Sequence, residues 1–577
     1  MIRKEAEKDT EIQDDKKLTK SAEHASKKKQ VAWLLGVLLC IVAFEACWLM
    51  SVAPLHRLAN APLMTHLPLS SFLETWGAWL PADLHLLKHT TASQVSTNTL
   101  EFLLLMAVAF FIYGLFALLL RFQPSGTQNI AVLSLIWIGA IIAGLILVCT
   151  PAMLSHDLFI YADYGRIMVV YRSNPYFVTP AAVSHDAITR LDDWRYVTAA
   201  YGPLWLYICS FLALVLKANA VRYIFAFRLL GLVSHLLNTL LVVVILHMAG
   251  RSPRTQLLGG WLYAYNPLAL LESCLGAHND ALMVSFVLLG VCLSLWAERK
   301  NFTRLSYLLP ALAFTLSALI KFTTLPLLLF FLVLLARKTL FGTSTDSLTS
   351  QQVRKSRWRT VLLRVLIASV VCGLTVLTLY LPFWLGHNVV TIVLSFVSPP
   401  SANYAENSIL RAFSEWIKLH GMPASASWNY LPVYLLSQHT FWSVVNSLVL
   451  AASLLIGAIC LWRKPVTSTL TLAALATLGA LLIVTPWFYS WYVLWLLGLA
   501  VVSLSPSGKA IGQALIAFAL TFSVTALCIY LYNGDIPLGD WAVMQCLRIL
   551  GVPLLVFLIV LVLRWRWLRR FSIQAGL

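Results

Sequence analysis

The chain has 577 residues, 59% of them hydrophobic and only 11% charged, whereas a typical soluble domain carries about 25% charged residues. Its net charge of +18 lies in short clusters between apolar stretches, which argues against a nucleic-acid-binding face and for anchoring on an anionic membrane surface. The ten cysteines lie mostly within apolar stretches (Cys40, Cys149, Cys292, Cys372, Cys460, Cys528) and form no Cys-x-x-Cys pair or Cys/His cluster, so no disulfide framework, metal site or cofactor is expected.

Residues 1–30 are polar and lysine-rich and read as a disordered cytoplasmic tail. From residue 31 to 566, apolar stretches of about 18 or more residues recur, the length that crosses a hydrocarbon core of about 30 Å. Backbone polar groups in lipid must be satisfied within their own segment, so each stretch is expected to be helical. The expected spans are about 31–54, 100–121, 130–150, 223–248, 255–275, 280–297, 304–320, 322–336, 360–385, 440–462, 468–485, 488–505, 509–532 and 545–566. The prediction is an all-α, multi-pass protein of the cell membrane with about fourteen transmembrane helices.

Basic residues set the orientation, because they concentrate on the cytoplasmic side. The clusters are Lys27–Lys29, Arg251 with Arg254, Arg299 with Lys300 and Arg304, Arg337 and Lys338 with Arg354 to Arg359, Arg463 with Lys464, and Arg564 to Arg570. All fall inside if Pro203–Leu216, short for a span, does not cross. Both termini, including the tail 567–577, are then cytoplasmic. Residues 151–222 form a long first external loop with helices lying along the surface, and residues 386–439 form a second external loop. In the alternative, 203–216 crosses and four basic clusters move outside.

Charged residues near lipid are costly and mark candidate sites; here they gather at the expected outer helix ends. The first group is Ser155-His156-Asp157-Leu-Phe-Ile-Tyr161-Ala-Asp163. Asp157 suits a general base taking a proton from a sugar hydroxyl, or a simple helix cap. Asp163 either shares that cleft or caps a surface helix. Next come Asn174-Pro175-Tyr176, Asp192-Asp193-Trp194-Arg195 and Tyr201-Gly202-Pro203-Leu204-Trp205, where turn residues and rings suit either sugar stacking or an interfacial aromatic belt. Arg228 suits bidentate binding of a lipid phosphate or snorkelling to the headgroups.

Further along, Tyr265-Asn266-Pro267 precedes Glu272 and the turn Gly276-Ala277-His278-Asn279-Asp280. A plain hairpin needs only Asn or Asp with Gly, so His278 and Asp280 read as an acid/base or hydroxyl-binding pair. Lys321 falls at an external break between two short apolar runs, where a lone ammonium could neutralise a leaving phosphate. Pro486-Trp487-Phe488-Tyr489-Ser490-Trp491-Tyr492 forms an aromatic outer turn, either a belt or a cover over lipid or sugar.

Together these motifs resemble the C-fold (GT-C) glycosyltransferases, and more narrowly the bacterial polyprenol-phosphomannose-dependent α-1,6-mannosyltransferases. The resemblance rests on the Asp157 segment, Asn174-Pro175-Tyr176, Tyr201-Gly202-Pro203, Asn266-Pro267, His278-Asn279-Asp280-Ala281-Leu282-Met283, Lys321 before Pro326, and the Trp487–Tyr492 segment. It covers roughly residues 100–505. It implies a helical bundle whose first long external loop carries the catalytic carboxylate. It also implies inverting transfer of a sugar, mannose by this likeness, from a polyprenyl-phosphate donor to a glycolipid or polysaccharide acceptor on the outer face. Asp157, Asp163, His278 and Asp280 would then be catalytic. Tyr161, Asn174, Tyr201, Trp205, Arg228, Asn266, Asn279, Lys321, Trp487 and Tyr492 would bind substrate, Arg228 and Lys321 meeting the phosphate. One departure is that Lys321-Phe-Thr-Thr-Leu-Pro326 stands where many relatives show Lys-x-Pro-Pro. The rival classes are a secondary transporter, which would carry charges near the midplane in two related halves, and a lipid-linked glycan flippase or polymerase, which needs no carboxylate at a fixed loop junction.

Overall fold

The computed structural model describes residues 2–59, 75–79, 92–124, 129–303, 305–341, 351–388, 390–391, 404–421, 431–505, 508–531 and 537–574. Arg304 and much of the second external segment lie outside them. Among the described residues the protein is built of helices, and eleven are long and apolar enough to cross a membrane. Large apolar side chains such as Leu39, Phe111, Leu362, Leu448 and Leu563 point outward uncovered, as a lipid solvent permits and water does not.

Three of the fourteen expected spans are not single long helices. The stretch 255–275 is Pro253–Ala264, a short turn Pro267–Leu270 and a π-helical turn Leu271–Leu275. The stretch 304–320 keeps only Leu308–Ala318, and 488–505 becomes a 3-10 turn followed by Leu494–Val502. Each break has a local cause or mark. Pro267 cannot continue the preceding ladder, and Asn266 caps the new turn by accepting from the Ala269 N–H. Lys321 and Tyr489 are extended at φ −151° and −133°. Irregular backbone at membrane depth persists where protein covers it or a cavity needs it.

The polar segment expected as a disordered tail is helical instead: one helix runs from Ile2 to Ala59. Lys, Glu, Ala and Gln are strong helix formers, and no Gly or Pro interrupts residues 2–30.

The basic clusters meet at one end of the bundle. Arg254 donates to Gln123 O at 2.7 Å, Arg251 to Ser505 Oγ at 3.2 Å, and Arg337 to Trp462 O at 2.9 Å. Lys338 pairs with Glu298 at 2.9 Å, and Glu298 also accepts from Thr467. The Arg254–Gln123 contact fixes the path between them. The helices Asn129–Cys149 and Ala220–Met248 lead away from that end and back, so residues 150–219 begin and end at the opposite end. Pro203–Leu216, a helix of 14 residues and about 21 Å, does not carry the chain across. Its start is stitched to the break before Lys321: Gly202 donates to Ile320 O at 2.9 Å and Leu204 to Leu319 O at 3.1 Å. A Cβ at Gly202 would lie 2.1 Å from Leu319 O, so only glycine fits.

Candidate active site

The site is assembled at the end opposite the basic clusters, and its foundation is Arg228. The helix Asn129–Cys149 leaves carbonyls without intrahelical donors at its C-terminus. Arg228, fully buried, donates to Val148 O, Thr150 O, Ala152 O and Leu275 O. A cation at the negative end of a helix is favourable, and the planar fork serves several acceptors at once. This fixes the turn that delivers Asp157, the first residue of the helix Asp157–Val169.

Three consecutive loop residues then clamp the start of that helix. Asp193 Oδ2 lies 2.6 Å from His156 Nδ1, and Trp194 Nε1 donates to Asp157 Oδ1 at 3.2 Å. Asp192 and Asp163 are buried neighbours close enough to share a proton. Two buried carboxyls in contact cannot both ionise. Burial pushes Asp163 up to about 7, and burial with the Asp163 charge pushes Asp192 well above the carboxylate range.

His278 stands between two carboxylates. Its Nδ1 is 3.6 Å from Asp157 Oδ2 and its Nε2 is 3.4 Å from Glu272 Oε2. Its ring stacks on Trp491 with centroids 3.7 Å apart. Glu272 in turn accepts from Tyr530 Oη at 2.8 Å. Burial alone would raise the Asp157 carboxyl. The adjacent His278 imidazole, with smaller help from Ser155 and Lys321, holds it below its ordinary value. Asp157 is therefore a carboxylate at neutral pH.

The turn before Asp280–Arg299 is strained: Ala277 takes φ +57°, at a cost of about 1–2 kcal/mol for a residue with a Cβ. It turns three side chains into one buried space. Asn279 Oδ1 and Nδ2 and Asp280 Oδ2 are buried without a hydrogen-bond partner among the described residues. Such atoms are uncommon in native interiors, and a cluster of them is what a polyhydroxy ligand would satisfy. Lys321 Nζ lies 2.9 Å from Asp280 Oδ1 and 4.3 Å from the Tyr492 ring centre. Trp495 Nε1 donates to the same Asp280 oxygen at 2.5 Å.

The expected site residues divide accordingly. Asp157, His278, Asn279, Asp280, Lys321, Tyr492 and Tyr161 come together. Tyr161 is buried against Tyr201 and Trp205 with centroids 5.3 and 5.1 Å away, and it feels the charges of Asp157 and Asp280. Trp487 stands beside Trp194 at 5.4 Å.

Five of the expected site residues have other partners in the structure. Arg228 spends its donors on backbone carbonyls. Lys321 is ion-paired rather than lone. Asn266 caps a turn and donates to Ser523, and Asn174 ties its loop to Phe383 O at 2.6 Å, so both serve the framework. Asp163 faces Asp192 and not the His278 cleft.

Sequence reasoning gave no role to Trp495 or Tyr530, left Trp194 open between sugar stacking and an interfacial belt, and left Glu272 out of the expected site. A glutamate inside an otherwise apolar run was a usable signal for Glu272. The tryptophans carried no signal separating them from an interfacial belt.

The protein is thus a multi-pass helical membrane protein with a buried carboxylate–imidazole cluster and an ammonium at one end. Residues 67–337 match the family described as alpha-(1->6)-mannopyranosyltransferase, N-terminal domain, so the resemblance carried by the motifs is borne out. The chain is 28% identical over 150 residues to alpha-(1->6)-mannopyranosyltransferase A of Corynebacterium glutamicum, covering 26% of this chain and 30% of that protein. It is 32% identical over 152 residues to an alpha-(1->6)-mannopyranosyltransferase of Mycobacterium tuberculosis, covering 25% and 24%. A probable alpha-(1->6)-mannopyranosyltransferase of Mycolicibacterium smegmatis is 31% identical over 148 residues, covering 25% and 26%. The matched stretches therefore span at most 30% of the length of these relatives.

Proposed function

We propose that the protein is an inverting glycosyltransferase that moves a mannose from a polyprenyl-phosphate donor to a glycan acceptor at the outer face of the membrane. The observation that carries this reading is the ionised, buried Asp157 paired with His278, beside Asn279 and Asp280 with unsatisfied buried polar atoms. Asp157 takes the proton of the acceptor hydroxyl as that oxygen attacks the anomeric carbon from the face opposite the phosphate. The bond to the phosphate oxygen breaks, and the lipid phosphate leaves as an anion. Lys321 has three N–H donors; one is held by Asp280, and the others are available to the phosphate. His278 supports the charged form of Asp157, and Asn279 and Asp280 bind sugar hydroxyls. The names of the matched relatives support mannose and an α-1,6 linkage.

The test is transfer from radiolabelled polyprenyl-phosphomannose in membranes containing wild type or Asp157→Asn. Removing a general base costs about 10²–10⁴-fold in rate, so the variant should lose transfer at equal protein level. Undiminished transfer by Asp157→Asn would reject the assignment of the base. No transfer by wild type would reject this donor.

A further inference from the structure

From the base outward, a line of aromatic rings runs to the surface, and the chemistry assigned above does not need it. Trp491, stacked on His278, faces Tyr489 with centroids 4.4 Å apart, and Tyr489 meets Trp487 at 5.6 Å. Trp487 meets both Trp194 at 5.4 Å and Tyr404 at 5.3 Å. Trp491 is buried, whereas Tyr404 is 47% exposed. The outer rings are held in register by two backbone bonds: Glu406 N donates to Pro486 O, and Phe488 N to Glu406 O, both at 3.0 Å.

A membrane-interface belt presents its rings outward one by one. These rings pack on one another and are tied to the carboxylate, since Trp194 Nε1 binds Asp157 Oδ1. We propose that Tyr404, Trp487, Trp194 and Tyr489 form a subsite for the acceptor glycan beyond the sugar that is glycosylated, so that the protein favours acceptors already several sugars long. This rests on the transferase reading for its side of the reaction. The hydroxyl next to the base belongs to the acceptor, whereas Lys321, suited to the leaving phosphate, sits over different rings, Tyr492 and Trp495. Aromatic faces take the apolar C–H faces of pyranoses, as they take other apolar groups.

The test uses the full chain in detergent with two probes, methyl α-mannoside and an α-1,6-linked mannohexaose, and reads binding by saturation-transfer NMR. In wild type the hexaose should bind about tenfold tighter. That gap should close in Tyr404→Ala and Trp487→Ala and survive in Trp487→Phe, which keeps a ring. Equal binding of the two probes, or a gap that persists in both alanine variants, would overturn the subsite. Transfer from labelled polyprenyl-phosphomannose to both sugars is measured in parallel. Length-dependent binding without transfer keeps the subsite and rejects the transferase reading; transfer without length-dependent binding does the reverse.

Discussion

At the residue scale, the chemistry turns on a single carboxylate kept charged in a buried place. Burial opposes the charge on Asp157, and the His278 imidazole more than offsets it. The sign follows: a carboxyl held below its ordinary value is ionised at neutral pH and loses its function as a base only as the pH falls. Replacing His278 with Gln removes the imidazole that supports the carboxylate while keeping an N–H donor, so Asp157 should take up a proton at higher pH. The acidic limb of the kcat/KM profile for transfer should then move up by about one pH unit. An unmoved limb would mean that Asp157 is charged for another reason. The ionisable residues of this cluster were readable in the sequence because a charge among apolar residues stands out. Their partners were not, since Lys321 and Asp280 are 41 residues apart and nothing in one dimension links them. Arg228 was left open for the same reason: an arginine near lipid looks alike whether it faces a phosphate or a helix end.

At the scale of elements, the site depends on two devices that hold the start of the helix Asp157–Val169. One is the Arg228 clamp. In Arg228→Leu, four buried carbonyls would each lose a donor, and among the described residues only Thr150 O would keep one, from the Ala152 N–H. The loss of one such group costs about 1–3 kcal/mol, and thermal unfolding in detergent should show a drop of at least several degrees. Wild-type melting would mean that those carbonyls find other donors. The second device is the shared proton between Asp163 and Asp192. Both carboxyls are raised in the folded state, so this contribution is complete below the ordinary 3.8 and fades as the pH rises through about 7. Hydrogen exchange of the segment 186–199, corrected for intrinsic rates, should therefore become faster relative to the spans across that interval. Asp192→Asn supplies a permanent donor to Asp163 and should flatten the dependence. The helices themselves were legible from apolar length. The three broken spans were not, because a break at Lys321 or Tyr489 leaves the apolar count almost unchanged. Only Asn266-Pro267 announced itself.

For the molecule as a whole, the decisive question is which side of the membrane the cluster faces, because that decides the donor. The basic residues that converge at Gln123, Glu298 and Trp462 would anchor that end on the cytoplasmic leaflet. The carboxylate cluster would then open to the outside, where a sugar carried on a membrane lipid is a natural donor and soluble nucleotide sugars are absent. Charge counting reaches this arrangement only by assuming that 203–216 does not cross, and the Arg254–Gln123 contact supports that assumption. A membrane-impermeant maleimide applied to intact cells should label Ser184→Cys, which lies in the 151–222 loop, above the signal of the ten native cysteines. Thr303→Cys, beside the basic end, should be labelled only after permeabilisation. The opposite pattern would turn the cluster toward the cytoplasm, and a nucleotide sugar would become the donor to test.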